Sequence, residues 1–367
     1  DVIIVGGVII VGSFACLLGQ AGLRVLLLES GIRQVNTLKK VDARVFAISV
    51  ASERILKRAG AWRRIEQSEI GCFRQMHVWD ENGVGEIRFD NASICQPTMG
   101  YLIPNQIIVD AFEDKLLDME NVRCIWSESP AWIRQEADSI TLGTDDNLQF
   151  TARLVVAADG SQSKLRNLAN IHYQQHDYHQ SALACHVTTE LPHGEVARQR
   201  FLKRGPLAFL PMAYPYQSAI LWSPSPEQSQ RLQQMEQSAF HYELAEAFAG
   251  ELGDIRDSSP RTVFPLGRAQ AECYVKPRLA LIGDSAHTVH PLAGLGANLG
   301  LLDAAALAEV IIDACQRRRD PGRLQVLRRY ERWRKGENKN MMYLLDGFKH
   351  LFENQLQPVQ WLRNFGL

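Results

Sequence analysis

The chain has 367 residues, of which 46% are hydrophobic and 22% are charged, as in ordinary globular proteins. Its formal net charge is -1, so no overall positive field attracts nucleic acid. The seven cysteines are scattered and form no CxxC pair, which argues against a disulfide framework or a zinc site and favours a reducing compartment. This length suits one large domain or two of ordinary size.

The N-terminal segment has a strand–helix–strand pattern. Residues 1–5 are predicted to form a buried parallel strand, and a helix over 9–20 and a second strand over 23–28 follow. Glu29 ends this unit at the position where an acidic residue binds a nucleotide ribose. The uncharged stretch 2–19 contains four glycines and lacks a basic flank, so we do not expect a membrane helix there.

The glycine fingerprint of this unit is incomplete. In the GxGxxG register that begins at Gly6, the middle glycine is replaced by Val8. In the register that begins at Gly7, the middle glycine is replaced by Ile9, and Gly12 takes the last position. Either β-branched side chain crowds the point where a pyrophosphate approaches the backbone. A strand–helix–strand unit that binds no nucleotide therefore remains an alternative.

Further elements follow in chain order. They are an amphipathic helix at 53–60, a hairpin at 76–89, a helix at 105–119, short strands over 122–148 and a buried strand at 154–158. Residues 173–270 contain strand-like runs around one helical stretch at 227–248, which predicts a β-rich insertion. Residues 303–353 are helical and basic; we interpret this charge as a solvated face, with a membrane-surface contact as the alternative.

The most informative segment is 279–300. A buried strand runs into Gly283 and Asp284, and a loop rich in proline and glycine then leads to a helix that begins near Ala297. Gly294 and Gly296 allow the backbone to approach a flat ligand, and the helix N-terminus carries partial positive charge. This arrangement suits a flavin, with its ribityl hydroxyls at the aspartate. The alternative is a strand–loop–helix turn that binds nothing.

Several separated segments combine into one pattern: 1–29, 42–49, 100–105, 158–166 and 283–294. Together they resemble the flavoprotein aromatic hydroxylases, the group of para-hydroxybenzoate hydroxylase. Within that group, the chain most resembles the ubiquinone-biosynthesis hydroxylases. The narrower resemblance is carried by residues 177–178, 192–193, 197–201, 205–211, 221–223, 263–266 and 363–367.

This resemblance implies an α/β fold, with a Rossmann-like FAD-binding domain, an inserted β-rich substrate domain and a C-terminal helical segment. The implied FAD-binding parts are 1–72, 105–172 and 271–320. The implied substrate parts are the hairpin 73–104 and the β-rich region 173–270, and the C-terminal helices are 321–367.

The resemblance also implies an activity. The family members are FAD monooxygenases that use O2 and an NAD(P)H-type reductant and act through a C4a-hydroperoxyflavin. The implied substrate is a polyprenylated phenol of ubiquinone biosynthesis, hydroxylated at C5, with C1 and C6 left open. The cofactor carries the difficult chemistry, so no catalytic triad and no metal are required.

Cofactor-binding residues follow from the resemblance by position. They are Gly6, Gly7, Glu29, Arg44, Gln106, Asp159, Gly160, Gly283, Asp284, Pro291, Gly294, Gly296, Ala297 and Asn298. Glu29 is expected at the adenosine ribose, and Asp159 with Gly160 at the FAD and the path of the reductant. The backbone of 292–298 is expected at the flavin ring.

Catalytic and substrate residues are assigned in the same way. His290 and Pro291 are expected beside the ring, whereas His287 is expected to be a structural hydrogen bonder. The predicted substrate pocket lies between the β-rich domain and the flavin, and its predicted lining is Phe209, Leu210, Pro211 and Trp222. For each of these four, plain sheet core is the alternative.

The chain departs from the family pattern in three ways. The first fingerprint lacks its middle glycine, Leu295 and Ala297 replace the usual glutamine and valine, and the chain ends at Leu367 where family members continue. The first departure leaves open a flavin-poor structural subunit of a quinone-biosynthesis complex. Another flavin hydroxylase with a different aromatic substrate is a further alternative. We expect that the chain is truncated and that the protein is cytoplasmic. Peripheral contact with the inner membrane and self-association are left open.

Overall fold

The computed structural model describes residues 1–31, 44–81, 86–289 and 294–353, without the side chains of Val8 and of 348–353. The strands are β1 (Val2–Gly6), β2 (Val25–Glu29), β3 (Val45–Ser49), β4 (Gly71–Phe73), β5 (Gln75–Asp80), β6 (Glu86–Asp90), β7 (Gly100–Pro104), β8 (Val122–Trp126), β9 (Pro130–Gln135), β10 (Ile140–Thr144), β11 (Gln149–Ala152), β12 (Leu154–Ala158), β13 (Tyr173–Thr189), β14 (Val196–Phe201), β15 (Leu207–Pro211), β16 (Gln217–Trp222), β17 (Ile255–Ser258), β18 (Thr262–Ala271), β19 (Val275–Lys276), β20 (Leu279–Leu281) and β21 (His287–Thr288). The helices are α1 (Val8–Gln20), α2 (Val50–Ala59), α3 (Trp62–Glu66), α4 (Asn105–Leu117), α5 (Lys164–Leu168), α6 (Pro226–Gln234), α7 (Gln237–Ala247), α8 (Leu295–Gln316) and α9 (Leu324–Glu353).

The first strand lies inside a six-stranded sheet of order β19-β20-β12-β1-β2-β8. Every pairing is parallel except that of β19 with β20. All five residues of β1 are buried, as expected for a strand that is covered on both faces. The strands predicted at 1–5, 23–28 and 154–158 are confirmed. Because parallel strands end at the same edge, the turns after β1, β2, β12 and β20 lie together there.

Three predicted helices are confirmed beside this sheet as α1, α2 and α4. A Cβ added to Gly12 of α1 would lie 2.6 Å from the Cγ atom of Phe112 in α4. The last glycine of the fingerprint therefore allows two helices to pack closely. Helix α2 begins at Ser49, whose hydroxyl accepts a hydrogen bond from the Ser52 N–H, and ends at Gly60.

A second large sheet has the order β21-β18-β13-β16-β15-β14-β5-β6, and β17 pairs with β13. The hairpin predicted at 76–89 is confirmed as β5 and β6, and β5 joins this sheet by a parallel pairing with β14. The single helical stretch predicted at 227–248 is instead two helices, α6 and α7. Met235 has an extended backbone that ends α6, and the carboxylate of Glu236 caps the first N–H groups of α7.

The two faces of this sheet carry different apolar clusters because side chains alternate along each strand. On one face, Phe209 and Trp222 pack with Phe240 and its neighbours in α7. On the opposite face, Leu210 packs against Leu102 of β7. The second face is therefore the one that meets the small sheet of order β3-β7-β4.

Helices α8 and α9 follow the two sheets. Helix α8 is apolar and long enough to cross a membrane, but 61% of its most apolar window is buried inside the protein, as in a core helix. The prediction that the basic residues of 303–353 form a solvated face is wrong for Arg334 of α9. This side chain is 2% exposed, and its Nε donates to Asp303 Oδ1 at 2.7 Å. The basic run of α9 therefore contributes one cation to the interior.

Candidate functional site

Glu29 lies at the end of β2, and its two carboxylate oxygens differ in their hydrogen bonding. Its Oε1 atom accepts a hydrogen bond from the Gly31 N–H at 2.8 Å. Its Oε2 atom is buried and has no hydrogen-bond partner among the described residues. A Cβ added to Gly7 would lie 4.0 Å from this oxygen, so the oxygen faces the glycine turn. Since an unpaired buried acceptor is costly, this geometry fits a hydroxyl donor from a bound ribose.

The turn between β1 and α1 brings bare backbone to the same edge of the sheet. Gly6 has a φ of +130°, and an added Cβ would lie 2.1 Å from the carbonyl oxygen of Ala158. Only glycine fits such a close approach of two strand ends. Helix α1 begins directly after Gly7 and has no side-chain cap. Its first N–H groups are therefore left for a phosphate.

Asp159 connects two of the predicted motifs. Its Oδ1 atom accepts hydrogen bonds from the hydroxyls of Ser163 and, at 3.2 Å, Ser285, and its Oδ2 atom accepts one from the Leu165 N–H at 3.2 Å. The carboxylate thereby joins the turn after β12 to the turn after β20. Gly160 has a φ of +83°, and no atom lies within 4 Å of an added Cβ. The backbone at Gly160 is therefore open to a ligand.

Arg166 and Tyr173 each form a hydrogen bond with the turn after β20. The Arg166 guanidinium lies 3.7 Å from the centre of the Tyr173 ring, and its Nη1 atom donates to the Ser285 carbonyl at 3.2 Å. Burial lowers the pKa of Arg166. The Tyr173 hydroxyl donates to the Asp284 carbonyl at 3.0 Å. A cavity of about 540 Å³ lies beside this stacked pair.

The Gly283-Asp284 turn is hydrogen-bonded to the fully buried carboxylate of Asp303. Its Oδ2 atom accepts hydrogen bonds from the Gly283 N–H at 3.1 Å and from His287 Nε2 at 2.5 Å. Its Oδ1 atom accepts from Arg334 Nε at 2.7 Å and from an amide N–H of Asn338 at 3.1 Å. Burial alone would raise the pKa of Asp303, but His287 and Arg334 outweigh it and lower that pKa. His287 thus has the structural role that we expected.

The Asp284 carboxylate reaches solvent from this turn, although protein surrounds it closely. The surrounding protein raises the pKa of its carboxyl group, and the nearby His287 ring opposes that shift. A carboxylate with no protein donor in the hydrogen bonds of the described residues is suited to accept hydrogen bonds from ligand hydroxyls. The ribityl contact of Asp284 stays a prediction.

Asn298 fixes the start of α8. Its amide nitrogen donates to the carbonyls of Ala47 at 2.7 Å and Gly294 at 2.9 Å, and its amide oxygen accepts from the Ser49 N–H at 2.9 Å. The side chain is therefore committed to the protein, and the backbone of the first turn is the part left for a ligand. A Cβ added to Gly296 would meet nothing closer than a Val289 methyl group at 4.0 Å. The helix start thus has room for a flat ring.

Arg44 and Gln106 come close together at the start of α4. The Arg44 carbonyl accepts a hydrogen bond from the Asn105 N–H at 2.9 Å. The Gln106 side chain donates to the Asp110 carboxylate at 2.7 Å, along its own helix. The proposed FAD contacts of both residues stay predictions. His290 and Pro291 lie outside the described residues, and their roles also stay predictions.

The four predicted pocket residues do not share one surface. Phe209 stacks on Phe248 with ring centres 3.8 Å apart, and Trp222 is buried in the same cluster beneath α6 and α7. Both lie on the sheet face that is opposite Leu210, so their prediction as a flavin-facing lining is replaced by the sheet-core alternative. Leu210 lies in the cluster that includes Ala47, next to the start of α8. Pro211 is buried, and its carbonyl lies against Gly71.

Asp303 and Arg334 are the residues that the sequence interpretation missed as parts of the site. Asp303 had a usable signal, because it is the only charged residue among the apolar residues 295–308. Arg334 had no such signal in the sequence, because it lies in a run of basic residues whose pattern predicts exposure. Their pairing across two helices is visible only in the structure.

Comparisons with known proteins identify the family of this chain. A family model described as an FAD binding domain matches residues 1–342. The 3-demethoxyubiquinol 3-hydroxylase of Escherichia coli (strain K12) is 32% identical over 377 residues, which cover all of this chain and 93% of that protein. The mitochondrial ubiquinone biosynthesis monooxygenase COQ6 of Danio rerio is 33% identical over 430 residues, which cover all of this chain and 86% of that protein.

The chain belongs to this family of FAD-dependent hydroxylases. The solved structure of P. aeruginosa PqsL in complex with 2-aminobenzoylacetate shares the fold, with a TM-score of 0.82 and 22% identity over all of this chain and 99% of that one. The predicted family and fold class are confirmed. The protein is an FAD-dependent monooxygenase, a class that generally uses NAD(P)H as reductant.

The residues present fit FAD on the evidence of their own contacts. The unpaired Glu29 oxygen suits the ribose, the uncapped start of α1 suits the pyrophosphate, and Asp284 suits the ribityl chain. The open backbone at Gly296 suits the ring. These positions lie along the carboxyl edge of one sheet and the start of α8, as an extended ligand requires.

Replacing Glu29→Gln tests the ribose contact. A charged acceptor contributes about 1.5–3 kcal/mol to a hydrogen bond, so we expect FAD to bind roughly 10- to 100-fold more weakly. The measurement is the dissociation constant for FAD added to the deflavinated protein, followed by flavin fluorescence. Glu120→Gln at an exposed position is the control, and equal affinity of both variants would refute the contact.

Replacing Val8→Gly tests the altered fingerprint. We expect the flavin-to-protein ratio of the purified protein to rise, because glycine lets the pyrophosphate approach the start of α1. Val8→Ala serves as a comparison that removes the branched side chain without adding glycine's backbone freedom, and it should give a smaller gain. An unchanged ratio in Val8→Gly would contradict our interpretation of this loop.

Replacing Asp303→Asn tests the buried ion pair. Removing the Asp303 charge leaves the buried Arg334 with only the largely exposed carboxylate of Glu337 as an ionic partner, so we expect a loss of about 3 kcal/mol in the free energy of unfolding. Because the folded pKa is lowered, the Asp303 contribution is complete above its ordinary value of 3.8 and is lost as the pH falls through its lower folded value. Urea unfolding at neutral pH measures the effect. Asp313→Asn, which removes two more exposed ion pairs of the same helix, should cost much less.

Proposed function

We propose that this protein hydroxylates the aromatic ring of a polyprenylated phenol in ubiquinone biosynthesis, at C5. The observation that carries the proposal is full-length similarity to two proteins named for ubiquinone ring hydroxylation or ubiquinone biosynthesis, at 32% and 33% identity. The residues described around the cofactor positions support it, because they offer flavin-binding groups along one edge. The C5 assignment is supported by segments 177–178 and 197–201, which resemble that branch.

Bound FAD, once reduced by the NAD(P)H-type reductant, would activate O2, which is the source of the oxygen atom that enters the ring. The residues of the chain hold the ring in position and stabilise the charge that develops on it. The start of α8 offers N–H groups and a partial positive charge, which stabilise negative charge at the edge of a ring placed there. Asn298 holds this helix start on β3, and Asp303 holds the turn that carries Asp284. His290 and Pro291 are proposed as further contacts at the ring.

The apolar cluster around Leu210 is the proposed contact surface for the substrate. This residue packs with Leu102, Met76 and Ala47 on the face of the large sheet that meets β3 and β7. A Cβ on Gly294 would lie 2.8 Å from the Ala47 Cβ, so this cluster adjoins the start of α8. An apolar wall next to the ring position would exclude water and favour a phenol with a hydrocarbon chain.

The reductant is proposed to approach on the side of Asp159 and Gly160. The cavity of about 540 Å³ beside Arg166 and Tyr173 opens next to this turn. Its lining includes a buried guanidinium, and such a group suits the phosphates of an NAD(P)H-type molecule.

A flavin-poor structural subunit of a quinone-biosynthesis complex is the second candidate. The observation that favours it is Val8 in the first turn of α1, where the fingerprint needs glycine. The two candidates differ in whether FAD binding is needed for quinone production. A variant that binds FAD poorly but folds normally separates them.

Deletion of the gene followed by lipid extraction tests the proposed function. We expect a polyprenylated quinone precursor that lacks one ring hydroxyl to accumulate, and its mass and ring position identify the reaction. Complementation with the wild-type gene should restore the quinone, whereas the Glu29→Gln gene should restore much less at limiting FAD. Normal quinone levels in the deletion strain would refute the proposal. Full rescue by a folded variant that holds no FAD would instead establish the structural role.

A further inference from the structure

A row of side chains crosses the large sheet next to the apolar cluster around Leu210. Cross-strand pairs link its members in turn: Leu221 with Ala208, Ala208 with Gln199, Gln199 with Val78, and Val78 with Ile87. Side chains that are opposite each other in paired strands share one face of the sheet. We call these five residues the Leu221 row. Because neighbouring strands lie about 4.8 Å apart, the row extends roughly 19 Å across β16, β15, β14, β5 and β6.

The Leu221 row and Leu210 lie on the same face of the sheet. Ala208 and Leu210 are two positions apart in β15, and the side chains of a strand alternate between the two faces. Phe209, which lies between them in the chain, points to the opposite face, which α6 and α7 cover. Ala208 is therefore separated from Leu210 by only about 7 Å along the strand. The row runs directly beside the proposed contact surface for the substrate.

The apolar members of the Leu221 row keep part of their surface accessible. Leu221, Val78 and Ile87 are half-buried, and Ala208 is 8% exposed. In the ranges that the structure describes, none of these four residues is part of an apolar cluster, whereas Leu210 belongs to one. The row contains no charged side chain and a single amide. A continuous apolar strip that stays accessible suits an apolar ligand.

The two ends of the Leu221 row indicate the shape of this ligand. The inner part adjoins the cluster that contains Leu210 and Ala47, next to the start of α8, where the flavin ring is proposed. The outer end is Ile87 in β6, which is the last strand of the sheet. Phe89 of the same strand is 46% exposed and is paired with Met76 of the Leu210 cluster. A ligand on the row would have one end at the ring position and the other at the edge of the sheet, so it must be long, apolar and uncharged.

We propose that the Leu221 row holds the hydrocarbon chain of a phenol substrate along its path from the ring position to β6. This inference rests on the proposed function, and it assigns the surface that favours a phenol with a long chain over a phenol without one. The stabilisation from burial grows with the apolar area that is removed from water. Affinity should therefore rise with chain length until the chain passes β6, and it should then stay constant.

Titration of the FAD-loaded protein with two phenols tests the Leu221 row, and the change in flavin absorbance reports binding at the ring position. The probes are ortho-methylphenol and ortho-farnesylphenol, which share the ring and differ in the chain. In the wild type we expect ortho-farnesylphenol to bind more tightly than ortho-methylphenol. Val78→Asn and Ile87→Asn each place an amide under the chain, so we expect about 10-fold weaker binding of ortho-farnesylphenol and an unchanged dissociation constant for ortho-methylphenol.

Leu148→Asn is the matched control, because Leu148 is an aliphatic residue, 42% exposed, that lies between β10 and β11 of another sheet. It should leave both dissociation constants unchanged. Ile87→Asn, in the edge strand, keeps the test valid if Val78→Asn does not fold. If both phenols bind, equal affinity of the wild type for the two, or an equal loss in Leu148→Asn and the row variants, would overturn the assignment of the row and leave the proposed function standing. If the FAD-loaded wild type neither binds nor hydroxylates either phenol, the proposed function itself is refuted, and the row with it.

Discussion

The buried carboxylate of Asp303 is the contact on which the proposed flavin site depends. Four donors converge on it, from the turn after β20, from His287 and from two residues of α9. A buried charge is tolerable only when it is paired and hydrogen-bonded, so the three segments that supply these donors must hold their places together. The turn that carries Asp284 is thereby tied to a helix 30 residues long near the end of the described chain. Helix α9 is thus part of the support for the site.

Local patterns predicted the parts of the fold that local physics determines. The buried strands β1 and β12 are runs of β-branched and small apolar residues, and the glycines after them mark where the chain turns at the sheet edge. Glu29 was found because it ends such a strand. The pairing of Asp303 with Arg334 was not predictable in this way, because the two residues lie 31 positions apart on different helices. Only their tertiary packing distinguishes Arg334 from the exposed arginines beside it.

Two neighbouring residues of β15 show a second limit of prediction from the sequence. Phe209 and Leu210 are both large and apolar, and the period of two places them on opposite faces. Nothing in their own pattern says which face meets the flavin-binding part. The answer comes from the partners: α6 and α7 cover the face of Phe209, whereas β7 covers the face of Leu210. The same division explains how one sheet packs against β7 on one face and against α6 and α7 on the other.

The incomplete fingerprint and a functional flavin site are compatible because the proposed contacts are spread along the ligand. Val8 stands where the fingerprint has the glycine that faces the pyrophosphate, whereas Glu29, Asp284 and the start of α8 are proposed to contact other parts of the cofactor. Contacts that are far apart and share no partner contribute nearly independently, so weakening one lowers the affinity without removing the others. We therefore expect the chain to bind the cofactor with reduced affinity, so that the cofactor concentration sets how much of the protein is active.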